Sequence, residues 1–184
     1  MQGILSRAVF SLPMNISVIV PVLNEEKSIA ATLDALQALA PHEIIIADGG
    51  SSDRTAEIVA RFQVKLVASQ RGRARQLNRG ARQASGDVLL FLHADCRLPT
   101  SALNDIGAAL SDARFLGGRF DVELDGKHWL LPLVGRMISY RSRVSKVGTG
   151  DQGIFVRREV FERMQGFQDI PLMEDIAFAA RLRD

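Results

Sequence analysis

Between residues 16 and 99, a short and strongly apolar run gives way to a segment of helical spacing four times in succession. Ile16-Ser17-Val18-Ile19-Val20 stops at Pro21, and residues 25–39 then set Ile29, Leu33, Leu36 and Leu39 at helical intervals before Pro41. Residues 43–47 (EIIIA) form the second run; a turn from Asp48 to Asp53 leads into a helix presenting Ile58, Val59 and Phe62. A strand over 64–68 and a helix over 73–84 follow. Last come 87–93 (DVLLFLH) and a helix opened by Pro99, with Thr100 or Ser101 as its cap. Apolar runs without polar alternation are strands buried on both faces. Repeated strand–helix units therefore predict an α/β fold, with a mostly parallel, Rossmann-like sheet covered by helices on both faces. Such sheets take ligands beyond the carboxyl ends of their strands.

The second half has a different pattern. Over 116–124, Phe120, Val122 and Leu124 alternate with Arg119, Asp121 and Glu123, which predicts a half-exposed antiparallel strand near the sheet's edge. Residues 126–150 are irregular, apolar and cationic; 153–157 read as a further strand, and 158–165 as a short helix stopped by Gly166. No repeat, low-complexity tract or linker divides the chain. The expectation is one domain over 14–184, after a loose extension over 1–13. Arg7 and Pro13 interrupt that extension and no small-residue cleavage site follows, so it is not read as a signal peptide.

Composition removes several classes. With 184 residues, 47% apolar and a net charge of +2, the chain can bury a core and is not a disordered one. Its single cysteine, Cys96, excludes a disulfide framework and a Cys-based zinc site, and suits a reducing, cytoplasmic compartment. No run of 18 uncharged apolar residues predicts a membrane-spanning helix. Arginine far outnumbers lysine, and residues 61–82 carry seven cations with no carboxylate. Arginine is the better bidentate phosphate ligand, so this run points to an anionic partner, with a solvated basic helix face as the alternative. Nucleic acid is not expected, since the run contains no Tyr or Trp for bases to stack on.

Acids gather where the strands end. Asp48 follows the second run, Asp95 follows the fourth, and Glu174-Asp175 open a late helix after Pro171. A lone Asp in a turn is usually a cap or turn former, which suits Asp53. That reading suits Asp95 less, because His93-Ala94-Asp95-Cys96 leaves a buried strand without a Gly or a sharp helix start. In a doubly wound sheet Asp48 and Asp95 would face one crevice.

Several segments together resemble the family 2 glycosyltransferases of the GT-A fold. They are Pro21-Val22-Leu23-Asn24-Glu25-Glu26, the stretch from Asp48 to Thr55 (DGGSSDRT), the stretch from Gly72 to Ala81 (GRARQLNRGA), Leu90-Phe91-Leu92-His93-Ala94-Asp95, Gly150-Asp151-Gln152-Gly153 and Glu174-Asp175. Each is weak alone; their order and spacing carry the likeness, which runs from Met14 to nearly the last residue.

The resemblance implies a donor-binding half over 14–98 and an acceptor and catalytic half over 99–184. Pro21, Asn24 and Glu25 would shape the wall beside the nucleobase, with Asp48 flanking base and ribose. The commoner family pattern has two adjacent acids here. This chain has Gly49 at the second, which leaves the base open. Ala94 and Asp95 match the end of the metal-binding motif, so Asp95 would hold a divalent cation, Mg²⁺ or Mn²⁺. His93 is read as filling the strand end, since a lone imidazole is a poor Mg²⁺ ligand. Of Arg71, Arg73 and Arg75, the last sits nearest the family position expected to clamp the phosphates.

Asp175 matches the general base of an inverting transfer, with Glu174 orienting the site; helix-dipole stabilisation at a helix start is the alternative. Asp151 and Gln152 lie in a Gly-flanked loop suited to the acceptor or the sugar hydroxyls, or in an ordinary turn. The family's processive Gln-x-x-Arg-Trp motif is missing, which favours single transfer. Residues 128–134 (HWLLPLV), followed by Arg136, Arg141, Arg143 and Lys146, suit peripheral contact with an anionic membrane and a lipid-linked acceptor. Core packing or an oligomer contact explains that stretch equally well. A sugar nucleotidyltransferase would want a Gly- and Arg-rich loop where Asn24-Glu25-Glu26 stand. A catalytically weak nucleotide-sugar-binding module is the remaining alternative. The chain stops at Asp184, soon after Asp175, so the acceptor half is expected to be truncated or unusually short.

Overall fold

The computed structural model describes residues 14–121, 152–170 and 173–183. The expectations for 1–13, for Val122, Glu123 and Leu124, for the apolar-cationic stretch and for Asp151 lie outside these residues. One six-stranded sheet runs in the order β3-β2-β1-β4-β6-β5. Its strands are β1 (Ile16–Val22), β2 (Glu43–Asp48), β3 (Lys65–Ala68), β4 (Val88–Phe91), β5 (Gly117–Arg119) and β6 (Ile154–Arg157). β1 lies between β2 and β4 and is parallel to both, with Val18 opposite Ile44 and Leu90; β2 is parallel to β3. β6 is antiparallel to β4, and β5 pairs antiparallel with β6 at the edge. Intervening helices are α1 (Ile29–Ala38), α2 (Thr55–Val59), α3 (Arg73–Ala81), α4 (Ala102–Leu110), α5 (Arg158–Arg163) and α6 (Glu174–Arg183).

The apolar runs are strands because both their faces are covered. Val18, Val20 and Val22 of β1 join Ile44, Ile46, Leu90 and Phe155 in one core, closed by Ile29, Leu33 and Leu36 of α1 and Ile106 and Leu110 of α4. Ile19, Ile45, Leu89 and Phe91 turn to the other face. There they meet Ala74, Leu77 and Ala81 of α3, Phe161 of α5 and Phe178 of α6. Each fully buried Leu or Ile contributes about 1.5–3 kcal/mol by leaving water. Gly80 lets α3 lie directly on β1, since a Cβ there would sit 2.5 Å from Ile19 Cγ2. Phe91, Phe161, Phe167 and Phe178 pack ring against ring, with Phe167 and Phe178 centroids 4.6 Å apart, and this cluster seats α6 over β4.

Several boundaries differ from the sequence reading. The first helix begins at Ile29 rather than 25, because the Glu25 carbonyl accepts the amides of Ser28 and Ile29 in a turn and Asn24 is left-handed (φ 58°). α3 ends at Ala81 instead of 84, and α2 stops at Val59 although Ile58 and Phe62 still pack on the first core. Arg54 takes the cap position before α2, while Asp53 Oδ1 accepts the Thr55 amide at 2.9 Å and its hydroxyl at 2.5 Å. Ser101 stands at the start of α4, but its hydroxyl donates to Asp105 Oδ2 instead of capping a backbone N–H. Among the described residues of the expected edge strand, Gly117–Arg119 form β5, and Phe120 beyond it packs on the first core. α5 ends at Arg163, and left-handed backbone follows at Gln165 and Gly166 (φ 59° and 71°).

The amino end of the sheet is closed by a carboxylate. Glu43 Oε1 accepts from Ser17 Oγ at 2.7 Å, Ser85 N at 2.6 Å and Ser85 Oγ at 2.8 Å, and Ser17 Oγ in turn accepts the Gly86 amide. Burial pushes the Glu43 carboxyl up, but these donors and the nearby His42 outweigh it and hold the group below its ordinary value.

Candidate active site

At the carboxyl end of the sheet, the loops after β1 and β2 are bound into one wall. Asn24 N donates to Ser51 Oγ at 3.0 Å, Glu25 N to Thr55 Oγ1 at 2.7 Å and Glu26 N to Asp53 Oδ2 at 3.1 Å. In return Ser52 N donates to Asn24 Oδ1 at 2.8 Å, and Arg54 N to Glu26 Oε2 at 3.2 Å. Asp48 anchors this wall from the end of β2, its Oδ1 accepting both the amide (2.9 Å) and the hydroxyl (2.6 Å) of Ser51. Asp53 is held below its ordinary value: burial is the largest single effect and raises it, but the bonds from Thr55 and Glu26 together more than reverse that.

Beside the wall lies an open cleft of about 310 Å³, lined by Pro21, Leu23, Glu25, Arg71, Gly72, Arg73, Gln76, His93, Ala94 and Asp95. It sits where the chain turns one way from β1 into α1 and β2 and the other way from β4, the switch position at which open α/β sheets bind ligands. Thr32 Oγ1 of α1 donates to the buried Ala94 carbonyl at 2.5 Å, which fixes the segment presenting Asp95. Asp95 is exposed, and its carboxylate accepts from Cys96 Sγ at 3.6 Å. Ligand atoms of His93, Asp95 and Cys96 all lie within 4.8 Å of one another. A divalent cation fits here through the exposed Asp95 oxygen. His93, expected as filler, stands close enough to join it.

Glu174 and Asp175 begin α6, and both are buried, 2% and 7% exposed. Glu174 Oε1 lies 3.5 Å from Nε of Arg73, a cleft residue, so the helix start is tied to the cleft by an ion pair. Asp175 Oδ1 accepts the Ile176 amide at 2.7 Å. Gln152 is buried, and its carbonyl accepts the Phe120 amide at 2.8 Å, next to β5. The cleft thus gathers Pro21, Glu25, Ala94 and Asp95, with Asn24 and Asp48 in the wall beside it.

Arg75 stands apart from them. Its Nε donates to Asp169 Oδ2 at 2.8 Å, and it is not among the lining residues, which include Arg71 and Arg73. Residues two apart on a helix leave it in different directions, and Arg73 and Arg75 accordingly take different partners, Glu174 and Asp169. Sequence reasoning passed over Gln76, which is 5% exposed and whose Nε2 donates to the carbonyls of Val22 (2.8 Å) and Ala47 (2.9 Å). Its signal was an amide among Ala74, Leu77 and Ala81 on the buried side of an otherwise basic helix.

A larger concavity, about 580 Å³, lies at the opposite end of the sheet, lined by residues such as Asn15, His42 and Asn104. Among the described residues it collects no carboxylate and no arginine, whereas the smaller cleft holds Glu25, Asp95, Arg71 and Arg73.

Solved structures with the same architecture define the fold as GT-A. A mannosyltransferase from Pyrobaculum calidifontis, solved with GDP-Man and Mn²⁺, superposes with a TM-score of 0.74 over 92% of this chain and 52% of its own, at 24% identity. TarS of S. aureus, solved with UDP-GlcNAc, gives 0.68 over 92% and 53%, also at 24% identity. The family described as Glycosyl transferase family 2 matches residues 17–165, and the chain belongs to that family.

Among curated relatives, the probable glycosyltransferase YdaM of Bacillus subtilis is 29% identical across 91% of this chain and 46% of its own length. The undecaprenyl-phosphate 4-deoxy-4-formamido-L-arabinose transferase of Pectobacterium carotovorum is 38% identical across 46% and 30%. The chain thus spans less than half the length of these relatives. No helix among the described residues is long and apolar enough to cross a membrane.

Proposed function

We propose that this domain transfers a sugar from a nucleoside-diphosphate sugar to an acceptor hydroxyl, with inversion at the anomeric carbon and one sugar per encounter. The observation that carries this reading is the cleft, where an exposed carboxylate, Asp95, stands with Arg71 and Arg73 beside a rigid wall at the switch of the sheet. Nucleotide and ribose would lie along Pro21, Asn24, Glu25 and Asp48, and the diphosphate would meet Arg71 and Arg73. Guanidinium groups suit phosphate oxygens because their donors match in pairs. Asp95, with Ala94 placing it and His93 beside it, would hold Mg²⁺ or Mn²⁺, which supplies positive charge to the departing diphosphate.

Asp175 would accept the proton of the acceptor hydroxyl as that oxygen bonds to the anomeric carbon and the bond to the diphosphate breaks. Glu174, through Arg73, would keep the base and the phosphate end in register. Asp151 and Gln152 would border the sugar or the acceptor. The acceptor is proposed to be lipid-linked, with the domain peripheral at the membrane. The name of the Pectobacterium relative supports this, as does that of a dolichol-phosphate mannosyltransferase of Pyrococcus furiosus, 28% identical over 68% of this chain and 38% of its own.

Calorimetric titration with UDP and GDP, with and without Mn²⁺, tests the donor site. Metal-dependent binding of one nucleotide that is lost in Asp95→Ala is the expected result. No binding of either by the folded protein would reject it. Binding without turnover on any nucleotide sugar would point instead to a binding module.

A further inference from the structure

The family's commoner second acid after Asp48 is replaced here by Gly49, and the space this leaves is filled by Gln76. A Cβ on Gly49 would lie 2.9 Å from Gln76 Cδ and 2.9 Å from its Oε1. Any side chain at 49 would push the amide from this position. The amide's orientation follows from its partners, since Nε2 faces two carbonyl oxygens, those of Val22 and Ala47, and only an NH₂ group can satisfy both. Oε1 is therefore on the other side. None of the described donors reaches it, although Gln76 is 5% exposed and lines the cleft. That oxygen is therefore an acceptor left available to a ligand in the cleft.

Position says which part of a ligand would do so. Gln76 sits over the ends of β1 and β2, while Asp95 follows β4 on the far side of β1. That separation is about two strand spacings, roughly 10 Å, so a diphosphate at Asp95 and the arginines leaves the base end of a nucleotide toward Gln76. We propose that Gln76 Oε1 reads the nucleobase by accepting a ring N–H, and that Gly49 and Gln76 act as one device for this. Uracil at N3 and guanine at N1 offer such a donor beside a carbonyl. Cytosine N3 and adenine N1 present a lone pair, which meets the lone pairs of Oε1. The reader is a neutral amide in place of an acid, so it selects the hydrogen-bonding pattern without adding negative charge beside the diphosphate.

This rests on the donor-site reading above, and the experiment separates the two. The full chain in Mn²⁺ is titrated with UDP, GDP, CDP, ADP, 3-methyluridine diphosphate, 1-methylguanosine diphosphate and inorganic pyrophosphate. UDP, GDP or both are expected to bind roughly ten- to a hundredfold more tightly than CDP, ADP and their own N-methylated forms, the usual penalty for a buried polar group left unpaired. In Gln76→Met that discrimination shrinks to within about threefold, while pyrophosphate affinity is unchanged. CDP or ADP binding as tightly as UDP and GDP overturns the proposal and leaves the donor site standing. So does full discrimination persisting in Gln76→Met. If that variant does not fold, the wild-type ligand series decides alone. Failure of all four nucleotides in the folded protein removes the donor site itself, and this inference with it.

Discussion

The two ends of the central sheet are built from similar residues and treated in opposite ways. At the amino end, Glu43 spends its carboxylate on Ser17 and Ser85, and Ser17 completes the circuit to Gly86. At the carboxyl end, Asp95 is left exposed, Arg71 and Arg73 face a cleft, and Gln76 keeps one oxygen without a donor among the described residues. Closed polar circuits contribute stability, whereas open ones are hydrated and stay available to a ligand. One strand, β1, runs between both conditions, which is how a rigid core ends in a binding face.

That contrast can be broken from either side. Asp95→Ala should weaken nucleotide binding in Mn²⁺ by roughly a hundredfold or more, with no loss of melting temperature; calorimetry beside a thermal melt checks both. Undiminished binding would mean that the open end has another purpose. Asp175→Asn should lower turnover at least about a hundredfold, as for a lost general base, while nucleotide affinity stays within error. Arg73→Ala should disturb both, because it removes a cleft cation and leaves the buried Glu174 without its ion-pair partner. A melt and a titration on the same sample would show whether either half is spared.

At the closed end the effects should be on stability alone. Glu43→Ala should destabilise the fold by about 1–3 kcal/mol, the penalty for stranding the buried Ser17 hydroxyl, and leave nucleotide affinity untouched. Since the folded Glu43 carboxyl lies below its ordinary value, its contribution is complete above the unfolded value of about 4.3 and is lost as pH falls through the folded one. Urea melts at pH 7 and pH 3.5 should therefore converge in Glu43→Gln relative to wild type. Arg75→Ala should do least, about 0–1 kcal/mol for an exposed pair with Asp169. A loss of nucleotide binding there would return Arg75 to the phosphate site.

How much of this was legible in the sequence differs by region for physical reasons. β1, β2 and β4 were plain because strands buried on both faces need unbroken apolar runs, and the residues facing each core alternate along them. The start of α1 was not, because residues 25–28 have helical composition but their amides and carbonyls are taken by the neighbouring loop and a turn. Acids at strand ends stood out because they follow unbroken apolar runs, although Asp48 also holds the turn at Ser51, the ordinary use of such a residue. Spacing alone does not choose among the three arginines, because a shift of two positions turns a side chain to a different side of α3. Gln76 was hidden because its partners are backbone carbonyls of distant strands, Val22 and Ala47, which leave no mark on the residue pattern.

The wall joining the loops after β1 and β2 has a consequence for time as well as for shape. Loop amides ordinarily exchange their hydrogens with water almost freely. Those of Asn24, Glu25, Glu26, Ser52 and Arg54 are held by side chains across the gap, so in heavy water they should exchange slowly, like strand amides, before any nucleotide arrives. The entropy of ordering that surface is then spent during folding and not at each encounter, so association along this wall should proceed in a single kinetic phase, with no slower settling step behind it.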